Sequence, residues 1–303
     1  MGMLLHAQIA ANKRKTWLLI GVFLLVFALV GAGVGILIAE SIEIGLILAV
    51  AIAIPYVLLM TASATRVVMA MNGARQIRSE DENLFLWNTV ESLAIGARLP
   101  MPKIYIIDDP SPNAFASGMS PQNAAVAVTT GLLERLNREE IEAVLAHEVA
   151  HIRNYDVRLA TMAVALVAVI ALLSDLGRRL LWYGGGRRQS SRQGGRSGGG
   201  NPVVYLVALL FVLLGPVIAV LVQLALSRNR EYLADASGAE LCRNPNALAS
   251  ALRKIADIPE PVQAASEACA SLYFTNPFKM RRRNLFSTHP PTEERIRRLE
   301  QMM

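Results

Sequence analysis

Residues Trp17 to Ala39 run 23 positions without a charged side chain, and Ile44 to Thr65 repeat the pattern after a four-residue acidic link, Glu40-Ser41-Ile42-Glu43. An α-helix rises about 1.5 Å per residue, so each run is long enough to cross the roughly 30 Å of bilayer hydrocarbon. Backbone in lipid must satisfy its own hydrogen bonds, which makes helices the expected form. The first run is too long for the apolar core of a signal peptide, and a second follows at once. Gly31 and Gly35 form a small-residue face suited to packing between the two helices. Two more apolar stretches follow, Leu159 to Leu173 and Pro202 to Leu226, the latter with a bend expected at Gly215-Pro216. Between them lies a Gly/Ser/Arg/Gln link, Gly184 to Gly200, of flexible composition.

Composition agrees. The chain is 53% hydrophobic and 18% charged, with a mean hydropathy of +0.38, an apolar excess beyond that of an ordinary soluble domain. The net charge of +6 comes with basic residues clustered beside apolar runs, which points to membrane flanks and away from nucleic acid. Lys13-Arg14-Lys15 before the first run and Arg66, Arg75 and Arg78 after the second place both ends of that pair in the cytoplasm. The arginine-rich tip of the second pair runs against this tendency; the length of the fourth run favours a spanning hairpin, and one embedded in the inner leaflet or shielding the site is the alternative. The only cysteines, Cys242 and Cys269, exclude a disulfide scaffold or a CxxC metal knuckle. The apolar runs lack the internal acids or bases of an ion path, which argues against a transporter.

The polar part between the pairs carries the chemistry. An amphipathic helix is expected over Glu82 to Arg98, with Leu84, Leu86, Val90, Leu93 and Ile95 among its apolar positions. Short extended pieces follow at Lys103 to Asp109, Asn113 to Gly118 and Ala124 to Thr130. Asn137 and Glu140 form a capping box before the segment IEAVLAHEVAHIRNYD, Ile141 to Asp156. Its His147-Glu148-x-x-His151 spacing puts two imidazoles on one helical face, able to reach one ion, with Glu148 about 100° around the axis, within reach of an activated water. Ile141, Leu145, Val149 and Ile152 form an apolar stripe roughly opposite, so the histidines should face a cleft. A chance match on an ordinary amphipathic helix is the plain alternative. Asp156, at the helix end, reads as a solvated or capping acid.

A catalytic zinc needs a third protein ligand and an open position. Asn154 and Val157 stand where the longer HExxHxxGxxH motif needs glycine and histidine, so that route is closed. Glu231 is the candidate: it follows the second apolar pair as His147 precedes it, and a returning hairpin brings both to one side of the membrane. Asp235, one turn later, suits the role of acceptor for a ligand histidine's other N–H. Asn113 and Ala114 are candidates for pairing with a substrate backbone, or part of a plain structural hairpin. His289 either stabilises the oxyanion or shapes the cleft, or is a loop histidine merely stiffened by Pro290 and Pro291.

The pieces NAFASG, AVAVTTGLL, LAHEVAHIRNYD, SRNREYLADASGAE and FSTHPPTEERIRRL, in this order after a first apolar pair, resemble the HtpX-type membrane zinc metalloproteases, relatives of the CAAX prenyl proteases. The resemblance implies a gluzincin site with one zinc ion per chain on His147, His151 and Glu231, and Glu148 as general base. It implies a stress-response, quality-control endopeptidase acting on damaged, unfolded or membrane-embedded proteins. It also implies a multi-pass protein of a bacterial-type inner membrane with its site facing the cytoplasm. The expected fold is a mainly α membrane protein with a small β-sheet, a zincin-like catalytic domain and about four hydrophobic helices. The expected parts are a helix pair at 1–65, a catalytic region at 66–157, a hydrophobic hairpin at 158–226 with its link at 184–200, and a C-terminal helical part at 227–303. The competing function class is a membrane scaffold with a structural metal site, which has no need of a base at Glu148.

Overall fold

The computed structural model describes residues 2–184, 202–214, 217, 228–265, 269–278 and 290–302. The chain divides into two compact units.

One unit comprises Trp17–Met60 and Ala165–Leu224. It holds most of three helices, α1 (Gly2–Ala39), α2 (Ile42–Met71) and α6 (Asp156–Gly184). Their segments Ile9–Ala39, Ile42–Met71 and Asp156–Arg179 are each long and apolar enough to cross a membrane. Of the expected fourth run, the described part is α7 (Pro202–Val212). The link beyond Gly184 and the bend at Gly215-Pro216 lie outside the described residues. The small-residue face of α1 meets α2: a Cβ on Gly45 would lie 2.1 Å from the Gly31 carbonyl oxygen, so only glycine permits this approach. Leu25, Leu29, Ile47 and Leu58 point outward and are mostly exposed, as lipid-facing side chains must be.

The other unit comprises Met1–Thr16, Thr61–Val164 and Ala225–Met303. Its sheet has the order β1 (Arg75–Ile77), β2 (Lys103–Ile107), β4 (Ala125–Thr129), β3 (Ala114–Ser117). β2 and β4 run parallel, and the outer strands pair antiparallel. Every residue of β4 is buried. The period-2 alternation of a strand sends Val126 and Val128 into one core, with Leu145 and Val149, and Ala125 and Ala127 into another, with Phe115 and Tyr273. The sheet is thus covered on both faces.

Helix α3 (Leu84–Ala97) starts two residues later than expected, because the Asn83 side chain caps it by accepting from the Leu86 N–H. Leu86, Val90, Leu93 and Ala97 make its buried stripe, while Leu84 and Ile95 fall off that spacing and are 58% and 71% exposed. After α4 (Thr130–Arg135), α5 (Arg138–Arg153) carries the histidine motif. Its capping box forms as expected, with Asn137 accepting from the Glu140 N–H and Glu140 accepting from the Asn137 N–H. The C-terminal part supplies α8 (Arg228–Cys242), α9 (Pro245–Asp257) and α10 (Thr292–Glu300).

Candidate active site

Helix α5 is the centre of its unit. Its stripe Ile141, Leu145, Val149 and Ile152 is fully in the core. The opposite face, expected to open on a cleft, is covered as well: His147 is 0% and Glu148 1% exposed. The reason is α8, which packs closely on α5 through Gly238. A Cβ there would lie 2.9 Å from both the Cα and N of His147, so a larger residue would push the two helices apart.

This packing brings Glu231 to the histidines. His147 Nε2 and His151 Nε2 are 3.0 Å apart, and each is 3.9 Å from an oxygen of Glu231. One ligand atom from each of the three residues lies within 4.8 Å of the others. The rings are turned by what holds their far nitrogens. His147 Nδ1 lies 2.9 Å from Asp235 Oδ1, in range though poorly aligned. His151 Nδ1 lies 2.9 Å from Asp156 Oδ2. Asp156 is therefore no solvated acid; it is fully buried. Tyr155, in the left-handed region at φ 58, turns the chain sharply enough to bring that carboxylate back under the ring. The Asn12 side chain donates to the Asn154 carbonyl at this same turn.

The residues fit a divalent cation. Around the histidines, among the described residues, the carboxylates of Glu148, Asp156, Glu231 and Asp235 are buried with two guanidiniums, Arg230 and Arg295. With all four carboxylates ionised and both imidazoles neutral, the cluster carries two negative charges. Buried charge must be paired, and one dication balances this set. Without it, protons take its place. Burial lifts the Glu148 carboxyl to about 8, with the Glu231 charge adding to the effect and His151 opposing it. Burial opposes a charge on His151, but the Asp156 carboxylate above all, with Glu231 and Glu148, outweighs it and lifts the ring to about 9. Burial and the adjacent His151 hold His147 down at about 4. Burial would raise Asp235, yet the Arg295 guanidinium and His147 bring it down to about 2.

These shifts give a pH dependence. A raised folded-state pKa contributes stability that is complete below the unfolded value and lost as pH rises through the folded value. Glu148 goes from 4.5 to about 8 and His151 from 6.5 to about 9, so both act in the same direction. The metal-free protein should lose thermal stability as pH rises from 6.5 toward 9, where the metal-loaded protein does not. Melting temperatures of chelator-treated protein across that range measure this, and a rising trend would contradict it.

The polar groups of Asn113 and Ala114, the expected substrate contacts, are engaged within the chain. Both residues are buried. The Asn113 N–H donates to Thr129 Oγ1 and its carbonyl accepts from the Thr129 N–H. The Asn113 side chain donates to the Thr275 carbonyl and accepts from the Ala114 N–H. The Ala114 carbonyl accepts from the Phe274 N–H at 2.8 Å, beside an antiparallel bridge between Phe115 and Tyr273. The strand's free edge is thus capped at this end by a later segment of the same chain. Ala116 lies further along β3, and with Glu148, His151, Glu231, Ser271 and Leu272 it lines a cavity with room for about one water. The Ala116 N–H faces Glu148, whose two oxygens have no hydrogen-bond partner of good geometry among the described residues. His289 lies outside the described residues.

Two residues of the site were not apparent from motif spacing, Asp156 and Arg295. Arg295 is 2% exposed and donates from Nε and Nη2 to the two oxygens of Asp235 at 2.8 and 2.7 Å. Its one trace in the sequence is helical spacing: it shares a face with Leu299, the other buried residue of α10.

Comparison with known proteins agrees with the geometry. Residues 80–303 match the model of peptidase family M48. Over 304 positions, 99% of this chain and 100% of the relative, the chain is 51% identical to a protease HtpX homolog of Listeria monocytogenes serotype 4a. It is 50% identical over 300 positions, 99% of this chain and 100% of the relative, to a protease HtpX homolog of Ligilactobacillus salivarius. Among solved structures, S. mikatae Ste24p is 21% identical with a TM-score of 0.42, over 84% of this chain and 64% of that one, a likeness too distant to carry any part of the assignment. The matched region contains the His-Glu-x-x-His helix, Glu231 and Arg295, and the scaffold alternative finds no support. This chain belongs to peptidase family M48 and is a membrane metallopeptidase acting on proteins.

Proposed function

We propose that the cluster binds one zinc ion per chain through His147, His151 and Glu231, and that Glu148 is the general base for peptide-bond hydrolysis. The observation that carries this reading is the convergence of both Nε2 atoms on Glu231 beside the buried carboxylate of Glu148. Two imidazoles and one carboxylate suit zinc, whereas calcium takes six to eight oxygens. When bound, zinc supplies a Lewis acid for the scissile carbonyl and lowers the pKa of water toward neutrality. Glu148 takes the proton from the attacking water and passes it to the leaving amine. Asp235 and Asp156 hold the two rings so that their Nε2 atoms stay pointed inward. With Asn113 and Ala114 engaged within the chain, Ala116 is the β3 residue whose main chain is best placed to meet a substrate backbone.

The resemblance to HtpX-type proteases supports substrates that are damaged, unfolded or membrane-embedded proteins and a stress-response role in quality control. The basic flanks at Lys13-Arg14-Lys15 and Arg66 support a site facing the cytoplasm of a bacterial-type inner membrane.

The full chain in detergent provides the test. Removing metal with a chelator should abolish cleavage of an unfolded protein, and one equivalent of zinc should restore it. Full cleavage after complete metal removal would sink the reading, and restoration by calcium or magnesium alone would sink the zinc assignment.

A further inference from the structure

We infer that Arg295 is a positioning residue for the hydrolysis: through Asp235 it sets the orientation of His147, so the metal site is complete only when the C-terminal helix is docked. The inference rests on the zinc reading above. Arg295 projects from α10, a nine-residue helix. Its charged neighbours take their partners at the surface, where Glu294 pairs with Arg297 and Arg298. Arg295 alone of these arginines turns inward, and every donor group it has is directed at the site. Nε and Nη2 form a fork on both oxygens of Asp235. Nη1 donates to the Phe274 carbonyl at 2.9 Å and lies 4.0 Å from Glu231 Oε2. Its guanidinium also lies 4.8 Å from the centre of the Phe274 ring, which packs edge-to-face with the His147 ring, the two ring centres 4.9 Å apart.

This arrangement exceeds what packing requires. A buried ion pair contributes little net stability compared with apolar residues of similar volume, and a methionine would fill the space. What an apolar residue lacks is the planar fork. Asp235 Oδ1 is shared between Arg295 Nη2 at 2.7 Å and His147 Nδ1 at 2.9 Å. With the fork in place the carboxylate cannot rotate, and the oxygen presented to the imidazole is defined. Without it, Asp235 can swing and the His147 ring loses its fixed angle toward Glu231 and His151. Lysine keeps the charge at this position but cannot form the fork.

The test compares wild type, Arg295→Met, Arg295→Lys, Asp235→Asn and the double variants of each Arg295 change with Asp235→Asn. Each is the full chain in detergent, with zinc affinity measured by chelator competition, alongside kcat, KM and the metal-free melting temperature. Arg295→Met should weaken zinc binding by about 10- to 100-fold, the usual cost of losing a partner behind a ligand. At saturating zinc it should lower kcat about tenfold or more with KM little changed. Arg295→Lys should fall near the methionine variant, and each double variant should bind zinc no more weakly than Asp235→Asn alone. Zinc affinity and kcat unchanged in Arg295→Met, or restored in full by lysine, would overturn the inference, as would fully additive losses. If the methionine variant does not fold, the cycle of Arg295→Lys with Asp235→Asn decides by the same criteria. Absence of stoichiometric zinc in the wild type would overturn the zinc reading and this inference together. Wild-type zinc with an unchanged Arg295 series overturns the inference alone.

Discussion

Glu148→Gln is expected to lower kcat by about 10²- to 10⁴-fold, the contribution typical of a positioned general acid–base group, and to leave metal content at one ion per chain. Glutamine has the shape of glutamate, so the packing of α5 against the sheet is preserved. It cannot accept and return a proton. The wild-type carboxyl lies beside the histidines with no hydrogen-bond partner of good geometry among the described residues, and the glutamine oxygen can still face the Ala116 N–H. Removing a buried acid that resists ionisation also predicts a higher melting temperature for the metal-free variant at pH 8 to 9, where the wild-type group must ionise. The measurement is kcat on an unfolded protein substrate together with elemental analysis for zinc. Equal turnover by wild type and variant would remove Glu148 from the mechanism, and loss of zinc would mean that it acts on the ion itself.

Glu231→Gln should weaken zinc binding by more than the 10- to 100-fold typical of losing a residue behind a ligand, and activity at limiting zinc should fall with it. Two effects add. An amide oxygen is a poorer donor to the ion than a carboxylate, and the buried cluster loses one of the two excess negative charges that a dication balances. The change also leaves Arg230, 3.6 Å away, and Arg295, 4.0 Å away, facing a neutral group. Equilibrium dialysis against zinc gives the affinity, and circular dichroism shows whether the helices persist. A folded variant with wild-type affinity would exclude Glu231 as a ligand and direct attention to the other buried carboxylates.

Much of the fold could be read from the residues because its signals are local. Uncharged runs of more than 20 residues identify α1 and α2 without tertiary information, since lipid dictates helix. The Asn137–Glu140 capping box located the start of the motif helix. Residues Lys103, Ala114 and Ala125 each lie in a strand where β-rich sequence predicted one. Less was legible where a side chain's environment depends on distant segments. Leu84 and Ile95 are good apolar residues on an amphipathic helix, yet they face away from its buried stripe. Asn113 and Ala114 lie on an edge strand, but the Phe274–Thr275 segment, some 160 residues later, already bonds to them.

The chemistry itself follows from the sequence. The i, i+4 histidines share a helical face with a glutamate beside them, which is what pointed to two metal-directed nitrogens and a base, and the apolar runs identify a membrane protein. The tertiary structure decided what that helix meets. Gly238 lets α8 approach closely enough for Glu231 to reach both imidazoles. The turn at Tyr155 brings Asp156 beneath His151. A short terminal helix delivers Arg295 to Asp235. None of these three contacts has a spacing of its own, because each depends on packing between segments far apart in the chain or on a backbone reversal. The histidines were therefore legible as candidate ligands, while the groups that hold and charge-balance them became visible only once the helices were assembled.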